Sequence, residues 1–377
     1  MFTEVQIENY KSIQSLKIGL GRVNVFIGEN GCGKSNILEA IALAGAAAGN
    51  KLDNEFLAPR GIRVTEPEFM RSAFDKENIT KEIKVNLRTI DQAAFNYEIK
   101  NDNKPFSKWY STRLFHFSKQ QVEDIIKDTD SHQKLLDSIT KLLNNQNDEY
   151  EETYNPNAFR LRDFLIYSPE NSMLRTFEKE GQIQPLGING EGLFKLIKVL
   201  SYSPRKLDTI KQKLQTIDWF DNFKIHQNSD IERNIQIKDR YLDKELPYFN
   251  QRSSNEGFLF LMFYFALFVS DDTPKFFAID NIENALNPKL CTRLIQELVE
   301  LAKKYDKQVI FTTHNPAVLD GLDLQDDEQR LFTIYRNIDG HTKAKRVYAP
   351  ESLDDDEPVP LSEAFMNGYI GGLPNNF

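Results

Sequence analysis

One segment constrains the fold of this chain more than any other, the glycine-rich run from Gly28 to Ser35, GENGCGKS. It follows the apolar run Val23 to Ile27, which predicts a buried strand, and it leads into a helical pattern from Ser35 to about Ala44. Glycines let the backbone turn so that its N–H groups and the helix N-terminus point at an anion. Strand, loop and helix in this order predict a phosphate-binding P-loop in an α/β fold.

The P-loop predicts ATP and Mg²⁺ as ligands, because Lys34 would bridge the β- and γ-phosphates and the Ser35 hydroxyl would hold the metal. A second buried strand, Phe276 to Ile279, ends in Asp280, the Walker B candidate that would orient the Mg²⁺ shell. His314 follows another apolar strand and is expected at the same sheet edge, near the γ-phosphate. Taken alone, Asp280 also fits an ordinary strand end and His314 a structural histidine.

The rest of the sequence divides into three sections, because strand and helix patterns at the two ends of the chain flank a polar middle section. The alternating or apolar runs predict strands, and the 3.6-residue periodicities predict helices. Strands are expected at 2–8, 16–20, 81–88, 95–100, 276–279 and 308–312, helices at 258–269 and 288–305, and a hairpin at 331–348. The polar section 107–247 has helical periodicity at 120–145, 191–202 and 207–217 and a charged loop at 145–155, which predicts a mostly helical insertion. An acidic stretch follows at 354–357.

Composition narrows the class of protein. The formal net charge of −9 argues against a protein that coats DNA through a globally basic surface. The densest basic stretches, 205–213 and 343–346, fit a solvated helix face and a hairpin edge. The two cysteines, Cys32 and Cys291, are too few for a disulfide framework or a zinc site. No apolar run approaches the roughly 18 residues of a membrane span and no signal-peptide pattern opens the chain, so we expect a cytoplasmic protein.

The ordered motifs together resemble ABC-type ATPases of the SMC and RecF-like class, in particular stand-alone AAA members related to the ATPase part of OLD-family proteins. The similar segments are 7–12 (IENYKS), 23–41 around the P-loop, 280–288 (Walker B and D-loop) and 313–315 (switch region). The resemblance implies an ABC-type head, a mixed β-sheet with flanking helices and antiparallel N-terminal strands. Residues 1–106 and 248–377 would form this head, with 107–247 as the insertion.

The resemblance also implies which residues meet the nucleotide. In this family ATP lies between two heads, and a signature segment of one head closes on the γ-phosphate held by the other. Ser253 to Gly257 (SSNEG) has the right position but departs from the Leu-Ser-Gly-Gly pattern, and a simple helix cap by Ser254 or Asn255 is the alternative. The implied nucleotide-binding residues are Lys11, Ser12, Gly28, Asn30, Gly31, Cys32, Gly33, Lys34, Ser35, Asn36, Ser254, Glu256 and Gly257, with Ser35 and Asp280 as metal ligands.

Asn281 is the most informative departure, because the family usually has a glutamate there that polarises the attacking water. Asparagine can position a water but cannot take its proton, and losing a general base typically costs ~10² to 10⁴-fold in rate. Glu283 could substitute or could be a structural acid. Arg60 and Arg63 could lie near the nucleotide, although exposed structural arginines are the simpler interpretation, and no Q-loop glutamine can be placed.

The leading functional hypothesis is a slowly hydrolysing ATPase whose heads pair on ATP, as a homodimer or higher homo-oligomer, and so regulate a separate effector, a nuclease or toxin, in antiphage defence. The segment after His314 is too short for the nuclease domain of OLD-family proteins, so the effector is expected on another chain. Two alternatives remain. One is a RecF-like DNA-repair ATPase that binds DNA directly, and the other is a scaffold that binds ATP without hydrolysing it.

Overall fold

The computed structural model describes residues 1–105, 107–116, 156–177, 185–225, 233–246, 248–349 and 359–373. The strands are β1 (Phe2–Tyr10), β2 (Ile13–Gly19), β3 (Val23–Ile27), β4 (Ile83–Thr89), β5 (Ala94–Lys100), β6 (Tyr110–His116), β7 (Ile166–Tyr167), β8 (Phe220–Ile225), β9 (Ile235–Asp239), β10 (Tyr248–Asn250), β11 (Phe276–Ile279), β12 (Gln308–Thr313), β13 (Gln329–Arg336) and β14 (Thr342–Val347). The helices are α1 (Lys34–Ala48), α2 (Asn54–Leu57), α3 (Pro67–Met70), α4 (Pro156–Arg162), α5 (Asn171–Thr176), α6 (Leu193–Leu200), α7 (Pro204–Leu214), α8 (Glu256–Val269), α9 (Pro288–Lys304) and α10 (Leu361–Met366), and short 3₁₀ turns lie at Ala58–Arg60, Asn78–Thr80, Gln251–Ser253 and Pro316–Gly321.

The N-terminal strands form a five-stranded antiparallel sheet in the order β2-β1-β4-β5-β6. Alternate residues of β4 and β5 are buried, as period-2 side-chain alternation requires when one face of a sheet packs on a core. Ile7 stands opposite both Leu16 of β2 and Val85 of β4, so its neighbours on the inner face are apolar.

The P-loop strand lies in a six-stranded sheet of order β14-β13-β3-β12-β11-β7. Strands β13, β3, β12, β11 and β7 are parallel, and β14 runs antiparallel to β13. Both faces of this sheet are covered, which explains why β3, β11 and β12 read as continuous apolar runs and are buried throughout. The carboxyl ends of β3, β11 and β12 meet at one edge, and that edge carries the candidate site.

Two hydrophobic cores enclose this sheet. Val23, Val25 and Ile27 of β3 face one core, together with α8, whose residues from Phe258 to Val269 are all buried. Phe26 faces the other core, which holds α1 and the inner face of the five-stranded sheet. Helix α1 is thus clamped between two sheets, and this position fixes the loop at its N-terminus.

The α/β fold with antiparallel N-terminal strands is confirmed, and the described part of the middle section contains strands β6 to β9 as well as helices α4 to α7. Among its described residues, β6 pairs with β5 and β7 pairs with β11, so both belong to the sheets of the head. Strands β8 to β10 form a third, antiparallel sheet. Hydrophobic periodicity reveals local structure but not a partner strand far away in sequence, so these pairings escaped detection. Whether 107–247 forms a unit with those boundaries stays a prediction.

Several expectations lie outside the described residues, namely the periodic stretch 120–145, the charged loop at 145–155 and the acidic stretch 354–357. Within the described ranges, no helix combines the length and the apolarity that crossing a membrane requires.

Candidate ATP-binding site

The P-loop connects β3 to α1, as its sequence predicts, and left-handed glycines shape it. Gly31 has φ 76° and Gly33, which precedes the first residue of α1, has φ 107°. A methyl group at Gly33 would lie 2.1 Å from Thr342 Oγ1 and 2.8 Å from Ser12 Oγ, whereas one at Gly31 would meet no atom within 4 Å. Gly33 is therefore required for both conformation and space, and Gly31 for conformation alone.

The Lys34 ammonium lies inside the loop. Its Nζ donates to the carbonyl oxygens of Gly28 at 2.8 Å and Glu29 at 3.0 Å, and lies 3.5 Å from His314 Nδ1. Burial lowers the pKa of Lys34, while nearby acidic groups, including Asp280, oppose this shift. A mostly buried cation at the mouth of a helix N-terminus is the arrangement that an anionic phosphate would complete.

Ser35 and Asp280 come together although the sequence separates them widely. Ser35 Oγ lies 3.1 Å from Asp280 Oδ2, and the Thr312 hydroxyl donates to Asp280 Oδ1. A hydroxyl and a carboxylate that converge beside a buried lysine are the hard oxygen ligands that Mg²⁺ takes together with nucleotide phosphates. These residues fit a Mg²⁺–nucleotide complex, which would place positive charge against the β- and γ-phosphate oxygens.

The residues after Asp280 turn back toward the switch region. Asn281 has a left-handed φ of 55°, and its backbone N–H donates to Thr312 Oγ1 at 2.9 Å. Glu283 Oε1 accepts the backbone N–H of His314 at 2.8 Å, while its Oε2 is buried with no hydrogen-bond partner among the described residues. Burial and then the Lys34 charge lower the pKa of His314, so its ring is neutral near pH 7. The hydrogen bond between Glu283 and the His314 backbone ties the segment after β11 to the residue that follows β12.

Lys11 and Ser12 form the turn between β1 and β2 and contact α1, the helix that follows the P-loop. Ser12 Oγ is 2.6 Å from Thr342 Oγ1 and accepts from Asn36 Nδ2 at 2.6 Å. Lys11 Nζ pairs with the buried carboxylate of Glu39. Their contact with a nucleotide stays a prediction.

Comparison with known protein families gives a match over most of the chain. The family model described as "AAA domain, putative AbiEii toxin, Type IV TA system" matches residues 23–320, from β3 almost to the end of the last 3₁₀ turn. The chain belongs to this AAA-domain family.

Solved structures share its fold. The structure of an SMC head bound to the C-winged helix domain of ScpA aligns with a TM-score of 0.54 at 15% identity, covering 92% of this chain and 98% of that one. An Smc head with an extended coiled coil, bound to the C-terminal domain of ScpA derived from Pyrococcus furiosus, aligns with a TM-score of 0.51 at 13% identity, covering 92% and 96%. At these identities the likeness concerns the fold.

Curated relatives match shorter segments. An uncharacterized protein of Methanocaldococcus jannaschii, MJECL10, is 32% identical over 113 residues, which are 28% of this chain and 50% of the relative. The DNA replication and repair protein RecF of Bacillus mycoides is 39% identical over 54 residues, 14% of each protein. The chain thus spans half the length of the first relative and a small part of the second. Together the matches confirm the resemblance to SMC/RecF-like ABC-type ATPases.

The predicted signature segment, Ser253 to Gly257, leads into α8, and its role stays a prediction. Asn255 caps the helix by accepting from the Phe258 N–H at 2.8 Å, so the predicted cap is Asn255. Ser253 and Glu256 are exposed, whereas Ser254 is buried and its Oγ has no hydrogen-bond partner within the described part of the chain. A methyl group at Gly257 would lie 3.2 Å from the backbone oxygen of Ala285, which follows Walker B. Ser253 therefore offers the accessible hydroxyl, rather than the predicted Ser254.

The two arginines after α1 differ in their surroundings. Arg60 donates to the backbone oxygens of Arg162 at 2.6 Å and Phe164 at 3.2 Å, so it connects this segment to α4. Arg63 pairs with Glu39 at 2.5 Å and donates to Asn36 Oδ1 at 3.1 Å, with 66% of its side chain exposed. Arg63 thus lies beside the first turn of α1, and Arg60 is structural.

Sequence reasoning missed two supports of the AAA-domain P-loop. Thr342 Oγ1 donates to the Cys32 carbonyl at 2.8 Å, and Arg336 Nε donates to the Gly31 carbonyl at 2.8 Å. Both residues come from the β13–β14 hairpin, and no local pattern signals a contact across some 300 residues. Glu39 could have been noticed, because an acid in an otherwise apolar helix needs a partner.

The sequence pattern also failed to predict strand β7 and the segment that follows it. Strand β7 pairs with the Walker B strand and ends at Tyr167, whose carbonyl accepts the Asp280 N–H at 2.8 Å. Residues 168–170 follow β7 at its carboxyl end, and this end lies at the same sheet edge as Asp280 because β7 and β11 are parallel. A two-residue strand is too short to be recognised from alternation.

Proposed function

We propose that this chain is an ATP-binding, slowly hydrolysing ABC-type head whose ATP-dependent pairing with a second copy regulates a separate effector protein. The observation that carries the proposal is the convergence of Lys34, Ser35 and Asp280 at the N-terminus of α1, with Ser35 Oγ 3.1 Å from the Asp280 carboxylate. This set supplies a phosphate cation, a metal hydroxyl and a metal carboxylate within one site.

Slow hydrolysis follows from Asn281. Its amide cannot take a proton from water, and one carboxylate oxygen of Glu283, two residues on, already accepts the His314 backbone N–H. The neutral His314 ring near Lys34 remains suited to sense a γ-phosphate by hydrogen bonding. The head would therefore hold ATP for long periods, as a switch requires, because hydrolysis without a general base loses ~10² to 10⁴-fold in rate.

Pairing follows from the exposed Ser253. Ser253 and Glu256 are exposed beside the N-terminus of α8, so this segment could close over a phosphate held by Lys34 of a second copy. The family description, which names a toxin of a toxin–antitoxin system, favours a toxin or nuclease effector in antiphage defence.

Charge pairing in the basic stretches favours a protein effector over direct DNA binding. Lys206 pairs with Asp271, Lys213 with Glu297, and Arg346 with Asp327 at 2.5 Å. Cations already neutralised by carboxylates release fewer counterions on meeting DNA, and so contribute less affinity.

The decisive experiment is sizing the protein by light scattering with and without Mg²⁺ and ATP. We expect a monomer that becomes a dimer with ATP, and no dimer for either Lys34→Ala or Ser253→Arg. Ser203→Arg, at an exposed serine before α7, is the matched control and should dimerise normally.

Mixing the two defective variants sharpens the test. A Lys34→Ala chain retains its signature and a Ser253→Arg chain retains its P-loop, so a mixed pair has one complete composite site. The mixture should therefore form heterodimers that neither variant forms alone. Failure of wild type to dimerise, or of the mixture to recover, would contradict head pairing.

Phosphate release separates the remaining functions. Wild type should be slow, Lys34→Ala inactive, and Asn281→Glu faster than wild type. Equal background release by all three would instead identify a non-hydrolysing scaffold. ATP-dependent, salt-sensitive binding of the isolated protein to DNA would favour the RecF-like alternative.

A further inference from the structure

Two aromatic side chains, Phe74 and His341, lie next to Arg336 beside the P-loop and have no part in the site described above. The rings of Phe74 and His341 meet edge to face with centroids 5.1 Å apart, and Arg336 Cζ lies 6.0 Å from the Phe74 ring centroid. Arg336 Nε also donates to the Gly31 carbonyl at 2.8 Å. The aromatic pair is thereby tied to the outer turn of the loop that would bind phosphate.

The sheet order gives this cluster its direction relative to the nucleotide. Strands β12 and β11, which are followed directly by His314 and Asp280, lie on one side of β3, and β13, which ends at Arg336, lies on the other. The metal and the terminal phosphate belong on the Asp280 side. The nucleoside end of a triphosphate bound along the loop would then lie toward the β13 side, where Arg336 contacts the Gly31 carbonyl.

The Phe74 ring is available for stacking. The turn between β13 and β14 supports it, because a methyl group at Gly340 would lie 3.1 Å from Phe74 Cε1. Even so, 48% of the residue is exposed, so part of the ring surface is free to meet a ligand. A supported aromatic face with a guanidinium beside it is how proteins hold a base without reading its edge.

We propose that Phe74, supported by His341 and accompanied by Arg336, is the stacking subsite for the purine base of ATP. This inference rests on the proposed function, since it assumes that the P-loop holds the triphosphate. A stacking subsite accepts adenine and guanine alike, so Phe74 sets the affinity for purine nucleotides over bare polyphosphate.

The test compares ligands with and without a base by isothermal titration calorimetry in Mg²⁺. The probes are the non-hydrolysable analogues AMP-PNP and GMP-PNP and inorganic tripolyphosphate. Phe74→Ala should weaken both nucleotides about 5- to 150-fold, the range of a lost base stack, and leave tripolyphosphate unchanged. Tyr202→Ala, at an aromatic residue 79% exposed between α6 and α7, is the control and should change nothing.

Phe74→Trp adds a direct readout that does not depend on loss of function. Its indole should retain nucleotide affinity, and AMP-PNP but not tripolyphosphate should quench its fluorescence, measured against the background of the two native tryptophans. Equal AMP-PNP affinity in wild type and Phe74→Ala, with no selective quenching, would overturn the subsite while leaving the P-loop function intact. Loss of both nucleotide and tripolyphosphate binding by wild type would instead overturn the proposed function.

Discussion

Replacing Gly33 by alanine tests whether tertiary contact, rather than backbone conformation alone, demands glycine in the P-loop. Gly31→Ala is the matched control, because both residues have positive φ but only Gly33 is crowded. A left-handed alanine costs about 1–2 kcal/mol, which is the whole expected cost of Gly31→Ala. At Gly33 the new methyl also lies 2.1 Å from Thr342 Oγ1, and such overpacking adds about 1–3 kcal/mol. We therefore expect Gly33→Ala to lose about 2–5 kcal/mol.

The assay is urea unfolding of the two variants, with Thr342→Ala added to form a double-mutant cycle. Thr342→Ala alone should cost about 2 kcal/mol, since its hydroxyl bonds both Ser12 and the Cys32 carbonyl. In the Gly33→Ala background it also removes the nearest clashing atom, Thr342 Oγ1, and leaves only the Ser12 Oγ contact at 2.8 Å. The double variant should thus be at least about 1 kcal/mol more stable than the sum of the single effects. Equal losses for Gly31→Ala and Gly33→Ala, or strict additivity, would refute the steric argument.

Three further predictions concern the charged side chains of Glu39, Lys307 and Asp280. Glu39→Gln leaves Lys11 and Arg63 without the carboxylate that both contact, so the free energy of unfolding should fall by about 3 kcal/mol, and an unchanged urea midpoint would count against this. Burial lowers the pKa of Lys307 to about 7, whereas the unfolded chain keeps a pKa near 10.5. The folded state therefore binds fewer protons between these values, and this residue makes wild type more stable as pH rises from about 7 to 10. Lys307→Met should lose that slope, and identical pH profiles of thermal unfolding would rule the idea out. Asp280→Asn should reduce AMP-PNP affinity in Mg²⁺ to the level seen in EDTA, as calorimetry would show, while a preserved Mg²⁺ effect would remove Asp280 from the metal site.

Local patterns predicted much of the head. The loop between β3 and α1 and the strands β11 and β12 were predicted correctly, because strands buried on both faces are continuously apolar. The short strand β7 and the pairing of β6 with the N-terminal sheet were not predicted, because strand pairing is a tertiary contact that local periodicity does not show. The apolar helix that became α8 was predicted nearly to its bounds, but which serine before it is accessible depends on how the chain enters that helix.

The sequence by itself determined that the loop from Gly28 to Ser35 has the composition to surround phosphate, since glycine conformations and a helix N-terminus are local properties. Only the tertiary structure brought Asp280 to Ser35 and placed Thr342 beneath Gly33. These contacts form where parallel strands end at a common edge and a distant hairpin packs against it. Strand order decides such proximity, and strand order comes from packing of the whole chain rather than from any local pattern.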